Sequence, residues 1–116
     1  MGPQKHLLIA TSATLLLTAA LPAAAKFDEE AAKATLKRND CTKCHAVDKT
    51  KKGPPYKKVA EKYRGKPDAE VEKKLMDNLT KEPIVKLEDG TEEKHKKIDT
   101  TDAKELKNLM DWIRSL

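Results

Sequence analysis

The chain has two cysteines, and both stand in one five-residue stretch, Cys41-Thr42-Lys43-Cys44-His45. This C-x-x-C-H string constrains the fold more than any other feature, because it reads as a site of covalent haem attachment. Thiols three positions apart on a helical turn face the same way, so each can add to one vinyl group of a porphyrin. The next residue, His45, then lies under the ring with a nitrogen aimed at the iron, and a proximal His is a common haem ligand. Other uses of the pair fit less well. A thioredoxin-like redox pair belongs beside a βαβ unit, and no such pattern is present. A Cys41–Cys44 disulfide closes a very small loop and constrains the unfolded chain weakly. A zinc site of Cys41, Cys44, His45 and His95 has the right ligand count, but adjacent Cys44 and His45 suit separated zinc ligands poorly.

The segment ahead of the motif has a different character. Lys5 and His6 precede an apolar run from Leu7 to Leu21, followed by Pro22 and Ala23-Ala24-Ala25. A basic head, a short apolar stretch and a small-residue end describe a secretory signal peptide, residues 1–25. The run is shorter than the roughly 18 apolar residues of a membrane span. Cleavage leaves residues 26–116 as one domain and implies a periplasmic protein without stable membrane insertion. The 116-residue chain has 24 basic and 19 acidic residues, a formal +5; losing the leader removes only Lys5 and leaves +4.

The remaining domain is poor in large apolar side chains. Leu, Ile, Val and Phe number fifteen in 91 residues, about 16%. So thin a core needs a metal, a disulfide, a cofactor or a partner to complete it, and a buried porphyrin supplies that apolar bulk. The four glycines form no Gly-rich phosphate loop, which excludes a nucleotide-binding fold of that kind. A small net charge with no basic stripe interleaved with aromatics argues against nucleic-acid binding. No nucleophile elbow or second triad histidine supports a hydrolase, and the protein is read as a non-enzyme.

The pattern of the domain is all-α, with three to four short helices. Asp28 is placed to cap a first helix to about Arg38, with Ala32 and Leu36 on its apolar face. Residues 47–55 read as a loop ending in Gly53-Pro54-Pro55. A second helix is expected over Tyr56 to Tyr63. A third, capped by Asp68, is expected over Ala69 to Leu79, with Val71, Leu75 and Leu79 four apart. Residues 80–98 look irregular, with Ile84 to Leu87 forming one side of a small hairpin around Asp89-Gly90. Asp99 and Asp102 approximate a capping box for a last helix. Its stripe is Leu106, Leu109, Met110 and Ile113, with Trp112 at the edge.

Taken together, these residues resemble the class I cytochromes c, especially the small bacterial ones, over nearly all of residues 28–116. The likeness rests on Cys41 to Asp48, on Gly53-Pro54 with Tyr56 following, and on Asp99 to Ala103 leading into Leu109-Met110-Asp111-Trp112-Ile113. It implies one covalently bound haem c, a crossing of the first and last helices, and a carbonyl of Pro54 that accepts a hydrogen bond from the His45 ring. Ala32 and Leu36 would then meet Leu109, Trp112 and Ile113.

The departure from the family pattern is as informative. Small cytochromes of this kind carry a distal Met between the third and last helices, and here no Met occurs between Asp77 and Leu109. That stretch holds Lys86 and His95. Neutral imidazole is a good iron ligand, whereas Lys must first lose its proton. His95 is the expected distal ligand; it is alternatively a solvated loop residue, with Met76 the other candidate, although Met76 and Met110 both read as core. The implied function is a soluble monohaem one-electron carrier. Alternatives are a haem-based gas binder or sensor and a dedicated cytochrome subunit of a dehydrogenase. The segment after the motif carries Lys49, Lys51, Lys52, Lys57 and Lys58, which points to an acidic redox partner for a monomeric protein.

Overall fold

A computed structural model describes residues 26–116 and Gly2; the expected leader otherwise lies outside the described residues. The elements follow in the order α1 (Glu29–Arg38), a 3-10 turn (Cys41–Lys43), α2 (Tyr56–Tyr63), α3 (Asp68–Thr80), β1 (Ile84–Lys86), β2 (Glu92–Lys94) and α4 (Ala103–Ser115). The expected helices are all present. No helix among the described residues is long and apolar enough to cross a membrane.

The start of α1 is set by Asp28, whose carboxylate accepts the Ala31 N–H at 3.0 Å. Glu29 and Glu30 occupy its first turn and Lys37 and Arg38 its last, which complements the helix dipole at both ends. α1 and α4 pack together and are pinned where they meet. Asn108 donates from Nδ2 to the Asp28 carbonyl at 2.9 Å and accepts the Asp28 N–H at 2.6 Å. Thr35 Oγ1 donates to Glu105 at 2.8 Å. Ala32 and Leu36 of α1 share one buried cluster with Leu109, Trp112 and Ile113 of α4, and α3 adds Val71, Leu75 and Leu79.

Three local expectations are corrected. α4 is capped by Asp102 alone, whose side chain accepts the Lys104 N–H at 2.9 Å. Asp99 is drawn away because Arg38 of α1 donates to it from Nε at 3.1 Å. Asp68 is the first residue of α3 rather than its cap; the N-cap position belongs to Pro67, and the Asp68 carboxylate pairs with Arg114 of α4. Trp112 is not at the margin of the apolar stripe but 2% exposed. α1, α2 and α3 all pack on α4, so its buried face is wider than a single stripe.

The hairpin expected around Asp89-Gly90 is present and antiparallel, with Ile84, Val85 and Lys86 opposite Lys94, Glu93 and Glu92. Asp89 closes its turn by accepting the Thr91 N–H at 2.9 Å, and Gly90 takes a φ of 86° there. The turn docks on the loop after the motif, where the Glu88 N–H donates to the Lys52 carbonyl at 3.2 Å.

Candidate haem site

The 3-10 turn presents Cys41 and Cys44 on a surface facing inward, with the two thiols not joined to each other. Its geometry follows from Asp40, which adopts a left-handed φ of 56° and turns the chain out of α1. The His45 N–H then donates to the Cys41 carbonyl at 2.9 Å, which aims the imidazole back over the turn.

Three neighbours fix the His45 ring. Its Nδ1 lies 2.6 Å from the carbonyl oxygen of Pro54. A carbonyl only accepts, so Nδ1 carries the proton and Nε2 keeps its lone pair for a ligand bond. This is the contact that the resemblance implied. Tyr56 stacks on the ring at 5.0 Å between centroids and meets Trp112 edge-on at 5.7 Å. Gly53 comes so close that a β-carbon there would sit 2.7 Å from His45 Cε1. The Gly53 N–H donates to the Cys44 carbonyl at 2.8 Å, holding that approach. The sequence marked Gly53 as a chain breaker and, with Pro54 and Tyr56, as part of the family likeness, but gave no sign of its close approach to His45 or of the Tyr56 stack.

Facing His45 is His95, with ring centroids 6.0 Å apart. Its Nδ1 is buried and has no hydrogen-bond partner among the described residues. Buried polar atoms in that condition are uncommon and call for an explanation. Both imidazoles line one cavity of about 920 Å³, together with Cys41, Cys44, Gly53 and Pro54. Leu36, Val59, Leu75, Leu79 and Ile113 add an apolar wall, and Val85 and Leu87 of the hairpin cover another side. That volume lies at the upper end of small-molecule and cofactor sites. Met76 is partly buried against the core and Met110 is fully buried; neither lines the cavity. Among the described residues no group of three or more His, Cys, Asp and Glu side chains is arranged to hold a metal ion by itself, so a zinc site gains no support.

Residues 29–116 match the family described as cytochrome c. The chain belongs to the class I cytochromes c. Among solved structures, the class 1 cytochrome MtoD from Sideroxydans lithotrophicus ES-1 is similar, at 52% identity and a TM-score of 0.71, over 77% of this chain and 96% of that one. A comparison with curated proteins finds no match. The cofactor of this cytochrome is therefore covalently attached haem c, and its role is that of an electron carrier. The cavity fits such a group: two thiols at its edge, a large apolar wall and two imidazoles opposite one another.

The electrostatics of the site suit neutral ligands. Burial lowers the pKa of His45, the Pro54 carbonyl opposes that shift, and His95 reinforces it. Burial pushes the Cys41 thiol and the Tyr56 phenol upward. Charge gathers at the rim instead. Lys58, Lys62, Lys86 and Lys94 border the cavity and make no ion pair among the described residues. Several lysines of α1, α3 and α4 pair within their own helix, as in Lys33–Glu29, Lys74–Glu70 and Lys107–Asp111.

Proposed function

We propose that this cytochrome is a soluble periplasmic one-electron carrier whose haem is tethered through Cys41 and Cys44. His45 and His95 would hold its iron. The observation that carries the reading is the 6.0 Å between the two imidazole centroids across the cavity. A metal–imidazole bond of about 2.0 Å plus about 1.1 Å from nitrogen to ring centre, on both sides, gives about 6 Å. The absence of both methionines from the cavity wall supports it.

Haem supplies a ferric–ferrous couple, and the protein tunes it through axial ligands, burial and hydrogen bonds. Pro54 fixes the His45 tautomer and makes that imidazole a stronger donor. The apolar wall and the hairpin keep water away. An imidazole in place of the family's Met lowers the potential, because a Met ligand raises it. A leader in residues 1–25 accounts for export; the family match begins at residue 29. The unpaired lysines at the rim form the docking face for an acidic redox partner and steer its approach.

Optical and paramagnetic spectra of the haem-loaded protein test the ligation. The ferric form should be low-spin and lack the far-red sulfur-to-iron band. His95→Ala should turn it high-spin, and Met76→Ala should leave the spectrum as it was. A sulfur band that disappears in Met76→Ala overturns the reading. Rapid carbon monoxide binding by the wild type at neutral pH would favour a gas binder instead.

A further inference from the structure

His95 lies outside every helix and strand, so its place depends on what holds the chain around it. Two backbone bonds tie its segment to the end of α3 and the loop after it: the Ile98 N–H donates to the Leu79 carbonyl, and the His95 N–H to the Pro83 carbonyl, each at 2.8 Å. A separate set ties the same segment to the opposite wall. Asn39, the residue that closes α1, is 4% exposed. Its Oδ1 accepts the Asp99 N–H at 2.8 Å, and its Nδ2 donates to the Thr35 carbonyl at 2.9 Å. Both ends of the amide are thus engaged. Beside it, the Asp40 carboxylate accepts from Lys96 Nζ at 2.9 Å. Residues 39 and 40 immediately precede the first haem-bearing cysteine. Residues 96 and 99 closely follow His95.

We infer that Asn39 and the Lys96–Asp40 pair form a clasp that keeps His95 facing His45, and that opening this clasp is the step that admits an outside ligand to the distal side. The inference rests on the reading of His95 as the distal ligand. The two parts of the clasp differ in kind. Asn39 is buried and works through neutral hydrogen bonds, which salt does not screen. The Lys96 and Asp40 side chains are 59% and 46% exposed, so their attraction weakens as ionic strength rises. Asn39, Asp40 and Lys96 act through His95, as positioning residues.

The test mixes the ferric haem-loaded protein with a large excess of imidazole and follows the spectrum. When loss of the distal ligand limits the reaction, the rate reaches a plateau that reports opening. Asn39→Ala leaves the part-buried Asp99 N–H unpaired, while the Thr35 carbonyl keeps the backbone N–H of residue 39, and it should raise the plateau about tenfold. Lys96→Gln removes an exposed pair and should raise it about twofold to fivefold. Added salt should speed the wild type by more than it speeds Lys96→Gln, which keeps only the exposed Arg38–Asp99 pair across the same gap. Val71→Ala, in the core away from the cavity, should lose stability and keep the wild-type plateau. If Asn39→Ala does not fold, Lys96→Gln and the salt response decide alone. A plateau that His95→Ala abolishes but that Lys96→Gln and salt do not move, with Asn39→Ala no faster than Val71→Ala, overturns the clasp and leaves the ligand reading intact. A wild type without a plateau, reacting as fast as His95→Ala, overturns the ligand reading and the clasp with it.

Discussion

Gly53→Ala probes the seat of His45 with a single methyl group. Gly53 does not adopt a left-handed φ, so alanine fits its backbone; what it lacks is room. The added β-carbon would stand 2.7 Å from His45 Cε1, 3.1 Å from Nδ1 and 3.3 Å from the Cys44 carbonyl oxygen. Carbon atoms rest at about 3.5 Å or more, so the ring must retreat by about 0.8 Å. Gly53 and Pro54 are adjacent, and a ring pushed off one is pushed off the carbonyl of the other. Overpacking costs about 1–3 kcal/mol and the lost hydrogen bond about 1 kcal/mol. Reduced freedom of the unfolded chain returns about 0.4–1 kcal/mol. A net loss of about 2 kcal/mol lowers the melting temperature of a domain this size by about 8–16 °C. His45 also becomes a weaker donor, which favours ferrous iron. A differential effect of about 1 kcal/mol is about 40 mV upward for one electron. Thermal melts and spectroelectrochemical titration of the haem-loaded variant read both quantities. Gly65→Ala is the control: its φ is +80° and nothing lies within 4 Å of the added carbon. It should lose about 1 kcal/mol from left-handed strain and keep its potential. A Gly53→Ala protein with wild-type potential and melting temperature would refute the seat.

Trp112→Ala removes the largest fully buried side chain and should cost about 3–5 kcal/mol in denaturant titration. Lys58→Glu with Lys86→Glu should slow electron transfer to an acidic acceptor and flatten its dependence on ionic strength; a wild-type rate already flat with salt sinks the docking face. Arg38 holds the Asp99 and Glu105 carboxyls below the usual carboxylate range, chiefly by hydrogen bonds. Depressed carboxylates contribute stability above that range and lose it as pH falls through it. The melting temperature should therefore drop between about pH 5 and pH 3, and Arg38→Ala should make that drop shallower.

Local chemistry made much of this molecule readable. Cys41, Cys44 and His45 are close in sequence, and the 3-10 turn keeps them close in space. Asp28 caps α1 with an acceptor three residues from its donor, and Gly65 and Pro67 separate α2 from α3 within a few positions. The misread features depend on partners far along the chain. Asp99 and Asp102 both suit the start of α4, and Arg38, 61 positions away from Asp99, decides between them. Asp68 is claimed by Arg114, 46 positions on. Trp112 lay off the α4 stripe on periodicity alone, because periodicity cannot count how many helices cover a face. Asn39 carried no signal of its own, since its bond to Asp99 exists only once α1 and α4 have crossed.

The thin core and the large cavity have one physical explanation, and it yields a last prediction. Space left empty inside a packed core costs about 24 cal/mol per Å³, and the cavity here is about 920 Å³ and partly open to solvent. A domain is stable by only about 5–15 kcal/mol. The fold therefore cannot keep this space dry and vacant. Water that enters meets an apolar wall, in which Leu36, Leu75, Leu79 and Ile113 are each only 4–8% exposed, and finds few hydrogen bonds there. Either the walls collapse or the segment bearing His95 swings away when haem is lacking. The buried contacts between α1 and α4 through Ala32, Leu109 and Trp112 do not border the cavity, so helical structure should outlast the site. Cys41→Ala with Cys44→Ala, purified without haem, should keep part of its far-ultraviolet helical signal. It should lose a cooperative melt and bind a hydrophobic dye such as ANS. A haem-free protein that melts as sharply as the holoprotein and takes up no dye would show that the fifteen large apolar residues suffice, and that haem adds function without stability.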